Sequence, residues 1–445
     1  MSSATFHRPQ TALLLVALAA SLAGCGVLNK KPKATPTLGD RTPVLSRIEG
    51  GAKVDPALVG VAVVLPPAET NAEWAQAGGN AAKSYGHLAL ADAPQRLWSV
   101  GILGSSPSQR LAAAPVIGGG RLFVFDTEGT VHAFDAATGR EQWTASLKSK
   151  ENSNSVFGGG ASYDDGHVYV TTGVGEVAAL DAATGAQQWR VKPAGPLRGS
   201  PTIAFNAVYV MTQNNQIHAL DVTDGSPLWN ESGALGQAGV FGVAAPAAGQ
   251  GTVIAGYSSG ELTAYRYENG RALWADALAR TSIATSVATL TDIDADPIID
   301  RGRVYALGQG GRMAAYELVT DQRIWELNLA GISTPAVAGE WIFTLTDDAR
   351  LLCIARGTGK VRWITQLPKF RKEEKQVGPI FWTGPVLANN RLWVANSRGE
   401  ILSAAVSDGT TATLTRLDDP VSLAPIVAGG ILYVLDDGGK ITAFR

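Results

Sequence analysis

Short apolar stretches alternate with polar turns along most of this chain, and they do so at a fixed rhythm. The clearest unit is Val131 His132 Ala133 Phe134 Asp135 Ala136 Ala137 Thr138 Gly139 Arg140 Glu141 Gln142 Trp143. It reads as a strand, a turn and a second strand that carries a tryptophan, and it returns at 177–189, 217–229, 262–274, 313–325 and 351–363. An Asp or Asn side chain bonds nearby backbone amides and Gly takes the positive φ of a reversal, so Asp135, Thr138 and Gly139 are turn makers.

The tryptophans stand at 98, 143, 189, 229, 274, 325 and 363, and after a seventh turn at Asp408 Gly409 their slot falls on Thr413. The mean interval is about 45 residues, the length of a four-stranded propeller blade. Upstream of each turn a proline opens the unit, from Pro115 to Pro425, and a β-rich triplet follows, from Leu122 Phe123 Val124 to Leu432 Tyr433 Val434. Eight such triplets occur, built of residues that suit packed pleated surfaces. The last unit stops at Phe444 Arg445 before its turn, whereas Leu97 Trp98 Ser99 Val100 is a tryptophan strand with no blade before it. The expected fold is all-β: an eight-bladed β-propeller of four-stranded antiparallel blades, with the N-terminal strand completing the last blade and removing an open seam.

Composition narrows the function classes. With 445 residues, 45% hydrophobic and 17% charged, the chain can bury a large core. A net charge of −2 with no basic stripe argues against a nucleic-acid partner. Residues 1–24 have the form of an export signal, with His7 and Arg8 before an apolar run over 12–20 that is too short to span a bilayer. Leu22 Ala23 Gly24 Cys25 resembles the bacterial lipobox, which implies lipidation of Cys25; the alternative is an ordinary secretory signal with an incidental cysteine. Gly26, where inner-membrane retention would want Asp, implies an outer-membrane destination. Residues 25–70, with Lys30, Lys31, Lys33 and several prolines, are expected to form the lipidated N-terminus and tether, and 71–445 the propeller. An edge strand on the propeller is expected over 59–65.

Candidate chemistry is sparse. Cys353 fills a slot that holds Ala133, Ala179 or Ser403 elsewhere and reads as a small core residue. His132 and His218 share one repeat slot, and no convergent metal set is evident. Asp292, Asp294 and Asp296 alternate as in a calcium loop, but Pro297 and Arg303 stand where the loop needs glycine and glutamate. The mixed-sign run from Lys369 to Lys375 reads as a solvated connection.

The Thr-Gly-x-x-x-Trp ending resembles the repeat of the pyrroloquinoline-quinone propellers. That resemblance implies an alternative function, a quinone-dependent periplasmic dehydrogenase; many such enzymes carry adjacent cysteines at the cofactor, and this chain has none, so no cofactor is expected. Lipobox, tether and eight blades together resemble the propeller lipoproteins of the outer-membrane β-barrel assembly machinery. Leu197 Arg198 Gly199 Ser200 Pro201 is similar to the Leu-Arg-Gly-x-Ser-x-Pro segment of that family, and Asp292 to Pro297 to its Asp-Val-Asp-x-x-Pro segment. Gly195 departs from the pattern, standing where the family has a second leucine.

This resemblance implies a non-enzymatic scaffold on the periplasmic face of the outer membrane. Leu197, Arg198, Asp292 and Asp294 would meet the periplasmic domains of BamA. Other assembly-complex subunits are expected partners, and unfolded outer-membrane proteins would add strands to exposed sheet edges. The repeat groups the same residues independently: Arg198 and Asp294 each lie three positions before the blade-opening proline, so both should face one mouth of the ring, opposite the Thr-Gly turns. Ala112, Val243, Ile332, Trp382 and Ser422 fill that slot in other blades, an apolar set for a loop surface. The competing reading is that Arg198 and Asp294 pair within the propeller and hold loops.

Overall fold

The computed structural model describes residues 52–148, 158–234, 244–278, 292–309 and 311–445. Each predicted unit forms a meander of four antiparallel strands. Blade 1 runs Val116–Gly118, Arg121–Phe125, Thr130–Asp135 and Glu141–Ser146, with neighbours paired in sequence order. Blades 2 to 7 repeat this order over 159–191, 202–232, 247–277, 298–327, 336–366 and 382–416. The eighth sheet joins Ile426–Ala428, Ile431–Leu435 and Lys440–Phe444 to Arg96–Gly101 from the other end of the chain. The architecture is an eight-bladed β-propeller.

Strand composition explains the layers. The second strand is buried on both faces, as at Leu122, Phe123 and Val124, whereas the fourth exposes alternate residues and turns its tryptophan toward the next blade. First strands start directly after Pro115, Pro201, Pro246, Pro297, Pro335 and Pro425, where the missing N–H breaks no ladder bond. In blade 7, Pro385 lies inside Trp382–Ala388, at a register shift between Thr383 and Val386.

The repeated turn does more than reverse the chain. Asp181 Oδ1 accepts from Thr184 N at 2.8 Å and from Thr184 Oγ1 at 2.7 Å, while Gly185 takes φ 74°. A Cβ on Gly185 would lie 2.6 Å from the ring of Trp143, which belongs to the preceding blade. That indole donates from Nε1 to Ala182 O at 3.0 Å. Trp189, Trp229, Trp274, Trp325 and Trp363 make the equivalent bond to Val222, Tyr267, Leu318, Arg356 and Val406. Glycine and tryptophan are thus two halves of one latch between blades.

The inner edges of the first strands face the ring axis and need partners of their own. Residues 71–90 supply them on the side of the Thr-Gly turns. Trp74 exchanges backbone bonds with Ile117 of blade 1, and Ala75 O accepts from Tyr163 N of blade 2. The Gln76 amide bonds both the O and the N of Ile203 in blade 3, at 2.9 and 3.0 Å. Ala81 and Ala82 accept from Ala248 and Ile299 in blades 4 and 5, Leu88 bonds Leu387 and Asn389 in blade 7, and Asn71 bonds Val427 and Gly429 in blade 8. His87 locks the same stretch in place, since its Nε2 accepts from Asn390 N and its Nδ1 therefore donates to Pro66 O. This plug closes one mouth of the ring and floors the space reached from the other.

One local expectation changes. No strand forms over 59–65; that stretch is irregular and is held by a bond from Arg362 Nε to Val61 O, while a parallel bridge forms before it, at Val54 to Val361. The mixed-sign run is the exposed connection that was expected, but an ordered one, a hairpin of Phe370–Lys372 paired with Val377–Pro379 around a 3-10 turn at Glu373–Lys375. Cys353 is fully buried opposite Phe343 and Trp363, and burial pushes its thiol up.

Candidate functional site

The mouth opposite the plug is built from the connections that lead into the first strands. Arg198 N donates to Met211 O and Arg198 O accepts from Gly159 N, so this connection is tied to the ends of two strands before its side chain is considered. Asp292 is held in the same way, its O accepting from Gln309 N at 2.9 Å. The two connections bring their charges together. Arg198 Nη2 donates to Asp292 Oδ1 at 2.8 Å and to Asp294 Oδ1 at 3.3 Å. The three side chains are 2%, 0% and 8% exposed. Leu197 is fully buried in the core between Tyr169, Trp189 and Val210. Cys25 and Val243 lie outside the described residues.

Burial decides the electrostatics. It pushes the Asp294 carboxyl up to about 7, with the neighbouring Asp292 acting in the same direction and Arg198 opposing. Deeper on the axis, Lys83 of the plug is buried and donates to Thr202 Oγ1 at 3.1 Å; burial lowers its ammonium to about 8, while Asp296 pulls it back up. Burial raises Asp296 too, against the attraction of Lys83, and its Oδ1 accepts from Ala245 N at 2.8 Å. Lys83 did not stand out in the sequence as a site residue, and Asp296 did so only through the calcium-loop spacing it shares with Asp292 and Asp294. Lys83 precedes the repeats, so no slot equivalence could place it.

Around these charges opens a cavity of about 600 Å³ on the ring axis. Trp74, Gly78 and Tyr85 of the plug contribute to its floor, Asp294, Ile332, Ala112 and Ser422 line it from the connections, and Trp382 from the start of the first strand of blade 7. Four of the five blades expected to present the apolar slot therefore meet at one opening. Phe381 beside Trp382 is 68% exposed and Ile332 49%, an apolar rim that the repeat pattern announced only in part.

A family model described as outer membrane protein assembly factor BamB matches residues 85–154 and 127–365, more than half the chain. The chain belongs to the BamB family. The BamB of Yersinia pestis is 26% identical over 357 residues, 79% of this chain and 88% of that protein. The BamB of Vibrio cholerae is 32% identical over 254 residues, 57% of this chain and 65% of that protein. Among solved structures, BamB from Moraxella catarrhalis superposes with a TM-score of 0.68 at 20% identity, covering 79% of this chain and 99% of that one.

The quinohemoprotein alcohol dehydrogenase of Comamonas testosteroni reaches the same TM-score at 14% identity, covering 85% of this chain and 81% of that one, which is a likeness of fold. Pyrroloquinoline quinone carries three carboxylates. The axial cavity of this chain offers Asp294, Asp296 and Asp437, with Arg110 exposed beside them. These residues do not fit such an anion.

Proposed function

We propose that this BamB-family chain is a non-catalytic assembly factor for outer-membrane proteins, lipidated at Cys25, held at the periplasmic face of the outer membrane, and docked through its open mouth to the periplasmic domains of BamA. The observation that carries the reading is the convergence of the Arg198, Asp292 and Asp294 cluster with an exposed apolar rim on one face of a rigid ring. The curated relatives are named for outer membrane protein assembly, and a rigid apolar opening edged with charge suits protein docking rather than turnover. Because Leu197 and Arg198 are buried, their role is to fix the shape of the connections. The contact area comes from Phe381, Trp382 and Ile332.

The test is recovery of BamA from solubilised envelopes on the lipidated protein and on Phe381→Ala with Ile332→Asp. These two side chains are exposed, so the variant should melt like the parent and lose BamA. Recovery of BamA with both proteins would move the interface off this mouth. Its absence from both would remove the partner.

A further inference from the structure

We propose that the axial cavity is a socket for one basic side chain, an arginine or lysine carried by a segment of the docking protein, with a large apolar neighbour resting on the rim. The proposal builds on the docking reading above and names the chemistry that the mouth selects.

The walls come first. Pro115, Pro385, Pro420 and Pro425 line the cavity together with Ala112 and Leu423. Proline carries no N–H, so this part of the wall is suited to a hydrocarbon stem, with the hydroxyls of Ser200, Ser333, Thr334 and Ser422 elsewhere on the lining. A lysine or arginine side chain has that form, an apolar stem with a charge at its end.

The charge inventory then fixes the sign of the tip. Asp294, Asp296 and Asp437 line the cavity. Asp347 adds its negative field at Asp294; at Asp436, next in sequence to Asp437, the fields of Asp419 and Asp437 are opposed by Lys440. Two buried cations answer them from within: Lys83 faces Asp296, and Arg198 is shared by Asp292 and Asp294. Arg110 stands exposed at the edge. Carboxylates outnumber cations around the cavity, and burial, with Asp292 and Asp347 acting in the same direction, raises the Asp294 carboxyl in spite of Arg198. A guanidinium entering from the mouth would complete the balance and bond the carboxylate in a desolvated setting, where such pairs are strong.

The rim shows that the occupant is a polypeptide rather than a free amine. A small cation held inside would leave Phe381 and Ile332 uncovered, at 68% and 49% exposure. A chain segment whose basic residue enters the socket carries neighbouring side chains over both. The plug closes the far mouth, so the segment enters and leaves by the same side.

The probe is a fluorescent peptide, acetyl-Gly-Leu-Arg-Phe-Gly-amide, against its counterpart with uncharged citrulline in place of arginine. The arginine peptide should bind the intact protein at least about tenfold more tightly. The preference should vanish in Asp294→Asn, and Ala112→Trp, which fills the cavity from its wall without touching charge, should abolish binding at an unchanged melting temperature. Equal affinity for the two peptides, no binding at about 1 mM, or full binding by Ala112→Trp would overturn the socket. The BamA pull-down separates the two claims. If Ala112→Trp loses the peptide yet still recovers BamA, the docking reading stands and the socket is not its anchor. If both are lost with the fold intact, the socket serves the docking.

Discussion

At the scale of single residues, the mouth is an electrostatic arrangement whose order can be tested by subtraction. Arg198 answers two carboxylates in a place with almost no water contact. Removing one partner of a buried pair leaves an uncompensated charge, so Arg198→Ala should destabilise the chain by about 3–5 kcal/mol in denaturant unfolding. Arg198→Lys should recover only part, because an ammonium cannot reproduce a planar fork. Asp294 supplies the pH dependence. Folding raises its carboxyl from 3.8 to about 7, so the unfolded chain gives up that proton first and the native state loses stability as pH climbs through this window. Asp294→Asn cannot titrate; its stability relative to wild type should therefore improve from pH 4 to 7 and level off above, whatever constant offset Arg198 adds. A pH-independent gap would show that Asp294 is ionised throughout. That Arg198 and Asp294 share a mouth was legible from their equal offsets to Pro201 and Pro297. Their depth was not, because an offset places the backbone and says nothing of what covers the side chain.

At the scale of elements, the strands were legible because packing repeats locally: apolar triplets, opening prolines and turn glycines each act within their own blade. The latch was not, because its halves belong to different blades and meet only when the ring is built. Blade 5 provides a natural contrast. There Asp321 occupies the glycine position at φ 63°, with Oδ1 buried and lacking a hydrogen-bond partner among the described residues, next to the blade 4 tryptophan that bonds Leu318 O. A left-handed backbone disfavours most side chains by about 1–2 kcal/mol, and an Asp by less. Asp321→Gly should therefore raise the melting temperature, whereas Gly185→Ala, which meets both the positive φ and the Trp143 ring, should lower it by more than the backbone term alone. Equal and small shifts in both would mean that the indole yields freely. The hairpin at 370–379 escaped the sequence for a related reason. Its strands are three residues long, too short for any alternation to register, and Lys369 N and Phe370 N are held by a local contact to Glu373.

At the scale of the whole molecule, the regular latch breaks where the chain's two ends meet. Thr413 stands in the tryptophan slot of blade 7, and Trp98 Nε1 is buried without a partner among the described residues, Tyr433 OH taking the bond to Ala136 O. The ends compensate by pairing Gln95 with Arg445 through two backbone bonds and by the plug, which touches seven blades in turn. If the plug is a clasp for the ring, damage at one point should be felt at the others. Gln76→Ala is the informative change, since it strands a buried N–H and C=O of Ile203 at about 1–3 kcal/mol each. Amide exchange then reads the result residue by residue. Tyr163, Ala248 and Ile299 donate to neighbouring plug carbonyls in blades 2, 4 and 5, so release of the plug as a unit should lower their protection together. Loss confined to Ile203 would instead make the plug a row of independent contacts, and closure of the ring would then rest on the Gln95 to Arg445 pairing and on blade packing.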